Sequence, residues 1–194
     1  MPDLADTKVT PVPDPRLRVY WPISARFREE IANEESRGSG GYRAFNKSGA
    51  LGAYQLTPIA LEDIKWRDKN GTWSEASGIA SDEAFLNNPL AQEIALKEYL
   101  NRNQRILRNS GFEPPIGQTI RGLEGDLTVT ESGLAAAMHR AGAPMVKRYL
   151  QTLANRNWAN DARLWPDDQR SMIAAIEDRL RDFTNIPYLR QFDH

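Results

Sequence analysis

Two adjacent carboxylic acids, Glu34 and Glu35, are followed at once by a glycine-rich segment, residues 38–53. A carboxyl group that stays protonated near neutral pH can serve as a general acid and give its proton to a leaving oxygen atom. Glycines let a backbone approach a bound molecule closely. An acidic pair at a helix end is, taken alone, more often solvated surface than a site. Together with the glycine loop, however, the pair predicts a catalytic carboxylate that faces a groove.

A helix must carry this pair, because apolar residues precede it at helical spacing and Ser24 is a suitable N-cap. The helix must end near Ser36, since glycines follow. At such an end Glu35 meets the partial negative charge of the helix dipole as well as apolar neighbours, and both favour its protonated form. On a helix Glu34 points about 100° away, so it either adds like-charge repulsion or is simply solvated.

The remaining elements are predicted to be mostly helical. Thr57-Pro58 is typical of a helix start. The sequence predicts further helices at residues 82–109, opening near Asn88-Pro89, and at residues 134–139, 144–153 and 172–183.

Three local signals complete the predicted organisation. Asn70-Gly71, between Trp66 and Trp73, predicts a two-residue β-hairpin, in which the two indoles pack together or stack on a sugar. Residues 110–127 contain many glycines and prolines and are predicted to form a loop. Thr128 and Glu131 have the spacing of a capping box for the helix that follows.

Composition limits the classes of function. The 194 residues are 40% hydrophobic and 26% charged, which is typical of a globular protein. A net charge of −1 gives no general affinity for nucleic acid. With no cysteine and only two histidines, neither a metal site nor a cofactor is predicted. The first residues lack a signal-peptide pattern, and no stretch approaches the roughly 18 apolar residues of a membrane span.

Several motifs resemble those of the soluble lytic transglycosylase family, within the lysozyme-like superfamily. The similarity covers about residues 25–153. The residues that carry it are Glu35-Ser36, then Gly49-Ala50-Leu51-Gly52-Ala53-Tyr54-Gln55-Leu56-Thr57-Pro58, then Asn88-Pro89 with Gln92 and Tyr99-Leu100, and finally Gly133-Leu-Ala-Ala-Ala-Met-His-Arg-Ala-Gly142.

This resemblance implies a fold and the boundaries of the domain that has it. The expected fold is mainly α, a lysozyme-like α+β domain with a small β-hairpin over residues 23–154. Outside the resemblance, the five prolines of residues 1–22 predict an extended arm, which is a disordered leader, wraps the domain or docks a partner. The apolar periodicity of residues 172–183 predicts the helix of a C-terminal extension, residues 155–194, that packs on the domain.

The same resemblance implies the roles of single residues. Glu35 would be the catalytic acid/base and Ser36 would position it. Tyr54 and Gln55 would line the saccharide groove behind the glycine loop. His139 stands where many relatives place a Tyr-Asn pair close to the acid, and it could take the role of the tyrosine or merely pack.

The number of carboxylates decides between two chemistries of this superfamily. Hydrolysis needs a second acid, and no Asp or Glu lies between Glu35 and Glu62. A single acid favours lytic transglycosylase chemistry, in which the muramoyl 6-hydroxyl closes a 1,6-anhydro ring. Glu34, Asp63 and Asp68 remain candidate second acids, so hydrolysis stays open. A further alternative is a non-catalytic lysozyme-like module that binds wall glycan or serves as a structural part of a phage tail or secretion apparatus.

The expected substrate is therefore the glycan strand of peptidoglycan, at the bond between N-acetylmuramic acid and N-acetylglucosamine. Without a signal peptide, such a protein would be made in the cytoplasm and brought to the periplasm or wall by a phage route or a secretion system. A phage lysin and an injected antibacterial effector both fit this expectation. An effector would also imply an immunity protein. Delivery by either route would imply a structural partner from a phage or from a secretion system.

Overall fold

Helices dominate the computed structural model, which describes residues 22–189. The elements are α1 (Ala25–Ser36), α2 (Pro58–Asp63), α3 (Asp82–Leu86), α4 (Pro89–Asn109), β1 (Thr119–Gly122), β2 (Gly125–Thr128), α5 (Glu131–Ala141), α6 (Ala143–Ala154) and α7 (Asp167–Asp182). No helix among these residues is long and apolar enough to cross a membrane. The predicted arm lies outside the described residues except for Pro22, as do the last five residues of the predicted extension.

The chain divides into two compact units at Tyr99/Leu100, inside α4. The domain limits expected from the sequence, at residues 22/23 and 154/155, stay predictions.

In the first unit, α1 has the limits that its sequence predicts. Ser24 caps it, since the Phe27 backbone amide donates to the Ser24 hydroxyl at 3.0 Å. Phe27 and Ile31 are fully buried one turn apart and attach the helix to its core. The helix ends at Ser36, where the glycine-rich segment takes over.

The short helix α2 also begins as predicted. The Ala60 amide donates to the Thr57 hydroxyl at 3.1 Å, and Pro58 occupies the first helical position. By contrast, the single helix predicted for residues 82–109 is two helices. Pro89 has no amide proton to continue α3, and the Asn88 side chain accepts from the Ala91 amide at 3.0 Å to start α4.

The hairpin predicted at Asn70-Gly71 is reduced to one antiparallel bridge, between Arg67 and Trp73. Asp68 is the reason, because its carboxylate accepts from the Asn70 amide at 2.8 Å and from the Thr72 amide at 2.9 Å. These bonds close a three-residue connection in which only Gly71 is left-handed, at φ 84°. A two-residue Asn-Gly turn would need positive φ at both positions.

Both indoles of this turn pack inside the unit. Trp66 meets the Phe85 ring edge-on at 6.3 Å, and Trp73 lies against the same ring at 5.2 Å. The guanidinium carbon of Arg67 lies 4.2 Å from the centre of the Trp73 ring. Both indoles therefore contact the ring of Phe85, and Arg67 lies over the ring of Trp73.

In the second unit, the predicted loop at residues 110–127 is wrong in its later half. There β1 and β2 form an antiparallel pair, the one sheet within residues 22–189. Ile120 and Leu127 are register partners, and both are buried. Gly122 and Gly125 lie at the closed end of the hairpin. These two glycines, which made the segment look like a loop, therefore belong to the turn between the strands.

The start of α5 also corrects the sequence prediction. Thr130, and not Thr128, caps the helix, because its hydroxyl accepts from the Gly133 amide at 3.0 Å. Thr128 is part of β2. The small residues of α5 let α7 pack closely, and a side-chain carbon at Gly133 would come within 2.8 Å of the Leu180 carbonyl oxygen.

A buried carboxylate connects the elements of the second unit. Glu177 of α7 accepts from the Leu123 amide at 2.7 Å and from the Tyr149 hydroxyl at 2.8 Å. The first bond holds the turn of the hairpin and the second holds α6. Burial, together with the nearby Glu177 carboxylate, raises the pKa of the Tyr149 phenol well above its ordinary value.

Candidate functional site

Glu35 is the next-to-last residue of α1 and is half-buried, whereas Glu34 is exposed. The difference follows from helical spacing, since Glu35 comes four residues after Ile31, on the side of the helix that faces the core. Ser36 is buried, and its hydroxyl donates to the Ala32 carbonyl of the same helix at 2.8 Å. The half-buried carboxyl thus stands on a fixed helix end.

A buried ion pair ties α1 to α4. Arg28 lies seven residues before Glu35, two turns back on the same side of the helix, and is buried. Its guanidinium pairs with the carboxylate of Glu93. Because removing one partner of a buried pair leaves an uncompensated charge, this contact holds the direction of α1 strongly.

Glu93 also holds the glycine loop, through one tyrosine inside it and one directly after it. It is only 1% exposed, and one of its oxygens accepts from the hydroxyls of Tyr42, at 2.6 Å, and of Tyr54. The two phenol rings meet edge to face with centres 6.4 Å apart. Burial, and next the charge of Glu93, raise the pKa of each phenol well above its ordinary value.

Gln92, the neighbour of Glu93, binds the backbone of the loop. Its side-chain oxygen accepts from the Ala53 amide at 2.9 Å, and its nitrogen donates to the carbonyls of Tyr42, at 2.8 Å, and Phe85, at 3.0 Å. Gly52 lies so close that a side-chain carbon there would overlap the Gln92 oxygen. Gln92 and Glu93 together form a clamp, which we call the α4 clamp.

The loop is also braced from within. The Asn46 carboxamide oxygen accepts from the backbone amides of Ser48, at 2.8 Å, and Ala50, at 3.1 Å. Its nitrogen donates to Gln55, which in turn donates to the Gly52 carbonyl at 2.9 Å. Gln55 has φ 44°, a left-handed conformation that costs a non-glycine residue roughly 1 kcal/mol. The loop therefore keeps a defined shape.

The predicted groove residues differ in how far they can reach a ligand. Gln55 is half-buried and lies in the outer part of the loop. Tyr54 is buried and its hydroxyl donates to Glu93, so it supports the loop from the core side. Among the candidate second acids, Glu34 and Asp68 are exposed and Asp63 is half-buried at the end of α2.

His139 lies in the second unit, in the last turn of α5, and is 8% exposed. Its role beside Glu35 stays a prediction. No group of three or more histidines, cysteines or carboxylates within residues 22–189 is arranged to hold a metal ion.

Sequence reasoning missed Arg28, Tyr42 and Glu93. A signal was present, because Arg28 stands three residues before the core residue Ile31 and Glu93 stands three residues before the core residue Leu96. Two opposite charges on apolar helix faces indicate a buried pair. Which two helices share the pair is a tertiary fact that spacing alone does not contain.

The chemical group that this arrangement offers is one half-buried carboxyl at a rigid helix end, near in sequence to a loop of fixed shape. Comparison with models of protein families, with curated proteins and with solved structures gives no significant match for this chain.

Proposed function

We propose that this protein cleaves peptidoglycan glycan strands as a lytic transglycosylase, with Glu35 as its one acid/base. The observation that carries the proposal is the half-buried Glu35, at the end of a helix that Arg28 anchors to the α4 clamp. A partly desolvated carboxyl on a rigid element is suited to general acid catalysis. The motif resemblance of the acid and the loop supplies the substrate class.

The proposed reaction has two steps. First, Glu35 gives its proton to the glycosidic oxygen, the bond from that oxygen to C1 of the muramoyl sugar breaks, and the substrate acetamido oxygen stabilises C1. Next, the Glu35 carboxylate takes the proton of the 6-hydroxyl, whose oxygen attacks C1. The product is a 1,6-anhydro ring, Glu35 is again protonated, and no water is consumed.

The positions of the other acids support single-acid chemistry. An inverting hydrolase holds a second carboxylate about 6.5–9.5 Å from the first to activate water. Glu93 is occupied, since both of its oxygens take part in buried bonds to Arg28 and to the two phenols. Glu34 is exposed and points away from the core side of α1. Asp63 is the one half-buried alternative among the acids named from the sequence.

The test is to incubate the full chain with purified peptidoglycan and to weigh the soluble muropeptides. Fragments that end in an anhydro sugar, lighter by one water than reducing fragments, are the expected result. Reducing ends would replace this proposal with a hydrolytic muramidase. Binding to the wall without any soluble fragment would replace it with a glycan-binding module.

A further inference from the structure

A stretch of positive charge covers α6 and the segments on either side of it. Residues 132–166 contain five Lys or Arg residues and a single acid, Asp161. Their excess of four positive charges stands in a chain whose net charge is −1, so the remaining residues carry an excess of five negative charges. Such a separation of charge bears on what a protein binds and not on how it folds.

Within α6 the charges lie on the side that faces water. Lys147 and Arg148 come one turn before Gln151, and none of the three is buried. Arg156 follows two residues after the end of the helix and is exposed. The opposite side of α6 is fully buried along the helix, at Val146, Tyr149, Leu150 and Leu153. We call Lys147, Arg148 and Arg156 the basic face.

The three cations of the basic face are not neutralised by the rest of the second unit. Among the described residues, none of them forms an ion pair or a side-chain hydrogen bond. Asp161 is paired with Arg163. The bonds from Arg163, and more weakly the charge of Arg156, lower the pKa of Asp161 to about 2. The carboxylate of Asp161 is thus taken by Arg163, and Arg156 is a surplus cation beside that pair.

The neighbouring elements reduce the positive excess but do not remove it. The start of α7 adds one cation and two acids, Arg170, Asp167 and Asp168, of which Arg170 pairs with Asp167. The hairpin meets residue 159 through one β-bridge and also adds one cation and two acids, Arg121, Glu124 and Asp126. With all of these residues counted, an excess of two positive charges remains.

The form of the basic face limits the kind of anion that it can contact. Because α6 packs on its core along its whole length, it presents one side only and cannot enter a groove of a nucleic acid. Residues 132–166 include no exposed aromatic side chain on which unstacked bases could lie. They also include no large exposed apolar side chain that would insert into a bilayer. A surface of negative charge, contacted by electrostatics alone, fits these limits.

We propose that the basic face binds the surface of a membrane that contains anionic phospholipid. Two of its three cations are arginines, whose guanidinium groups can bind the two oxygens of a phosphate at once. Residues 132–166 supply five cations in all, which lies within the size range of basic clusters that bind anionic lipid. The inference does not depend on the proposed function, because it uses no residue of the first unit.

The test is co-sedimentation of the full chain with vesicles of phosphatidylcholine that contain about one third phosphatidylglycerol. Binding is expected at low ionic strength and should be lost at high salt, which screens surface charges. The variant Lys147→Gln/Arg148→Gln should bind about thirtyfold more weakly, and Arg156→Gln about fivefold, since each exposed cation contributes separately. Thermal unfolding verifies that both variants are folded.

The matched control is Lys65→Gln/Lys69→Gln, which removes the same charge at exposed sites of the first unit. This variant should bind the vesicles like the wild type, because the basic face is intact. Equal weakening of the control and of Lys147→Gln/Arg148→Gln would show that net charge alone drives binding, which contradicts the proposal.

Two further ligands decide the identity of the bound surface. Vesicles of pure phosphatidylcholine should not bind, and duplex DNA should bind more weakly than the anionic vesicles at equal phosphate concentration. Tighter binding of DNA would replace the membrane with a nucleic acid and overturn the proposal. It would also be rejected by equal binding of the uncharged vesicles, by an unchanged affinity in Lys147→Gln/Arg148→Gln, or by a wild type that does not bind at low ionic strength.

Discussion

At the scale of single residues, Gly52 shows how tightly the glycine loop is fitted to α4. Its φ is +76°, and a side-chain carbon would overlap the Gln92 carboxamide. Gly38 has nearly the same φ, +75°, but open space around it. The two glycines thus separate the cost of backbone strain from the cost of overlap.

Gly52→Ala is expected to lower the free energy of unfolding by about 3 kcal/mol, from strain and overlap together. Gly38→Ala should cost only the strain, about 1 kcal/mol. Urea unfolding followed by circular dichroism measures both. Equal losses in the two variants would show that the Gln92 contact does not constrain the loop.

The candidate site was predictable to the extent that it is local. Glu35 at a helix end, Ser36 as the last helical residue and the glycine loop follow from neighbours in the sequence. The buried group that organises them, Glu93, comes from a helix more than fifty residues later. No spacing rule pairs it with Arg28, because the pairing depends on how α4 packs against α1.

At the scale of elements, caps and prolines made the limits of α1 and α2 predictable. Strand signals were less reliable, since a hairpin with glycines at its closed end has the composition of a loop, and Asp68 changed the type of turn at residues 68–71. Both errors have the same origin. A strand is fixed by its partner and by burial, which short patterns describe poorly.

The corrected cap of α5 gives a matched pair of variants. Thr130→Ala removes the hydroxyl that accepts from the Gly133 amide and should lower the free energy of unfolding by about 1 kcal/mol. Thr128→Ala removes the residue that the sequence indicated as cap and should cost clearly less. Chemical unfolding of both variants decides the matter, and a larger loss for Thr128→Ala would contradict the assignment.

At the scale of the whole molecule, three buried phenols and one half-buried phenol predict how the protein responds to alkali. Burial raises the pKa of Tyr42, Tyr54 and Tyr149 well above the ordinary value, and that of Tyr188 to about 12. Between the ordinary pKa of a phenol, about 10, and its raised pKa in the folded protein, only the unfolded chain ionises. The free energy of unfolding is therefore unaffected by these phenols below about pH 10 and falls as the pH rises above it. Each such phenol contributes a slope of about 1.4 kcal/mol per pH unit.

Ultraviolet absorbance of phenolate tests this expectation. At about pH 11 the folded protein should show fewer ionised phenols than the same chain in guanidinium chloride. The buried phenols should ionise together with the loss of circular dichroism. Full ionisation near pH 10, with the secondary structure intact, would contradict the buried positions of these side chains.

The location of the proposed substrate gives a second prediction for the whole molecule. Peptidoglycan lies outside the cytoplasmic membrane, so expression inside a Gram-negative host should be tolerated. Attaching a periplasmic export signal should cause lysis, and the exported Glu35→Gln variant should be harmless. Culture density after induction measures the effect. Equal toxicity of the exported wild type and the exported variant would show that the damage is not glycan cleavage.

The most direct test of the central claim compares Glu35→Gln with its neighbour Glu34→Gln. Both changes keep side-chain size and remove one carboxyl, and thermal unfolding verifies that each variant is folded. Release of soluble muropeptides should fall by roughly a hundredfold or more in Glu35→Gln, which has no proton to give. It should remain near the wild-type rate in Glu34→Gln. Undiminished release by a folded Glu35→Gln would contradict the assignment of Glu35 as the catalytic acid.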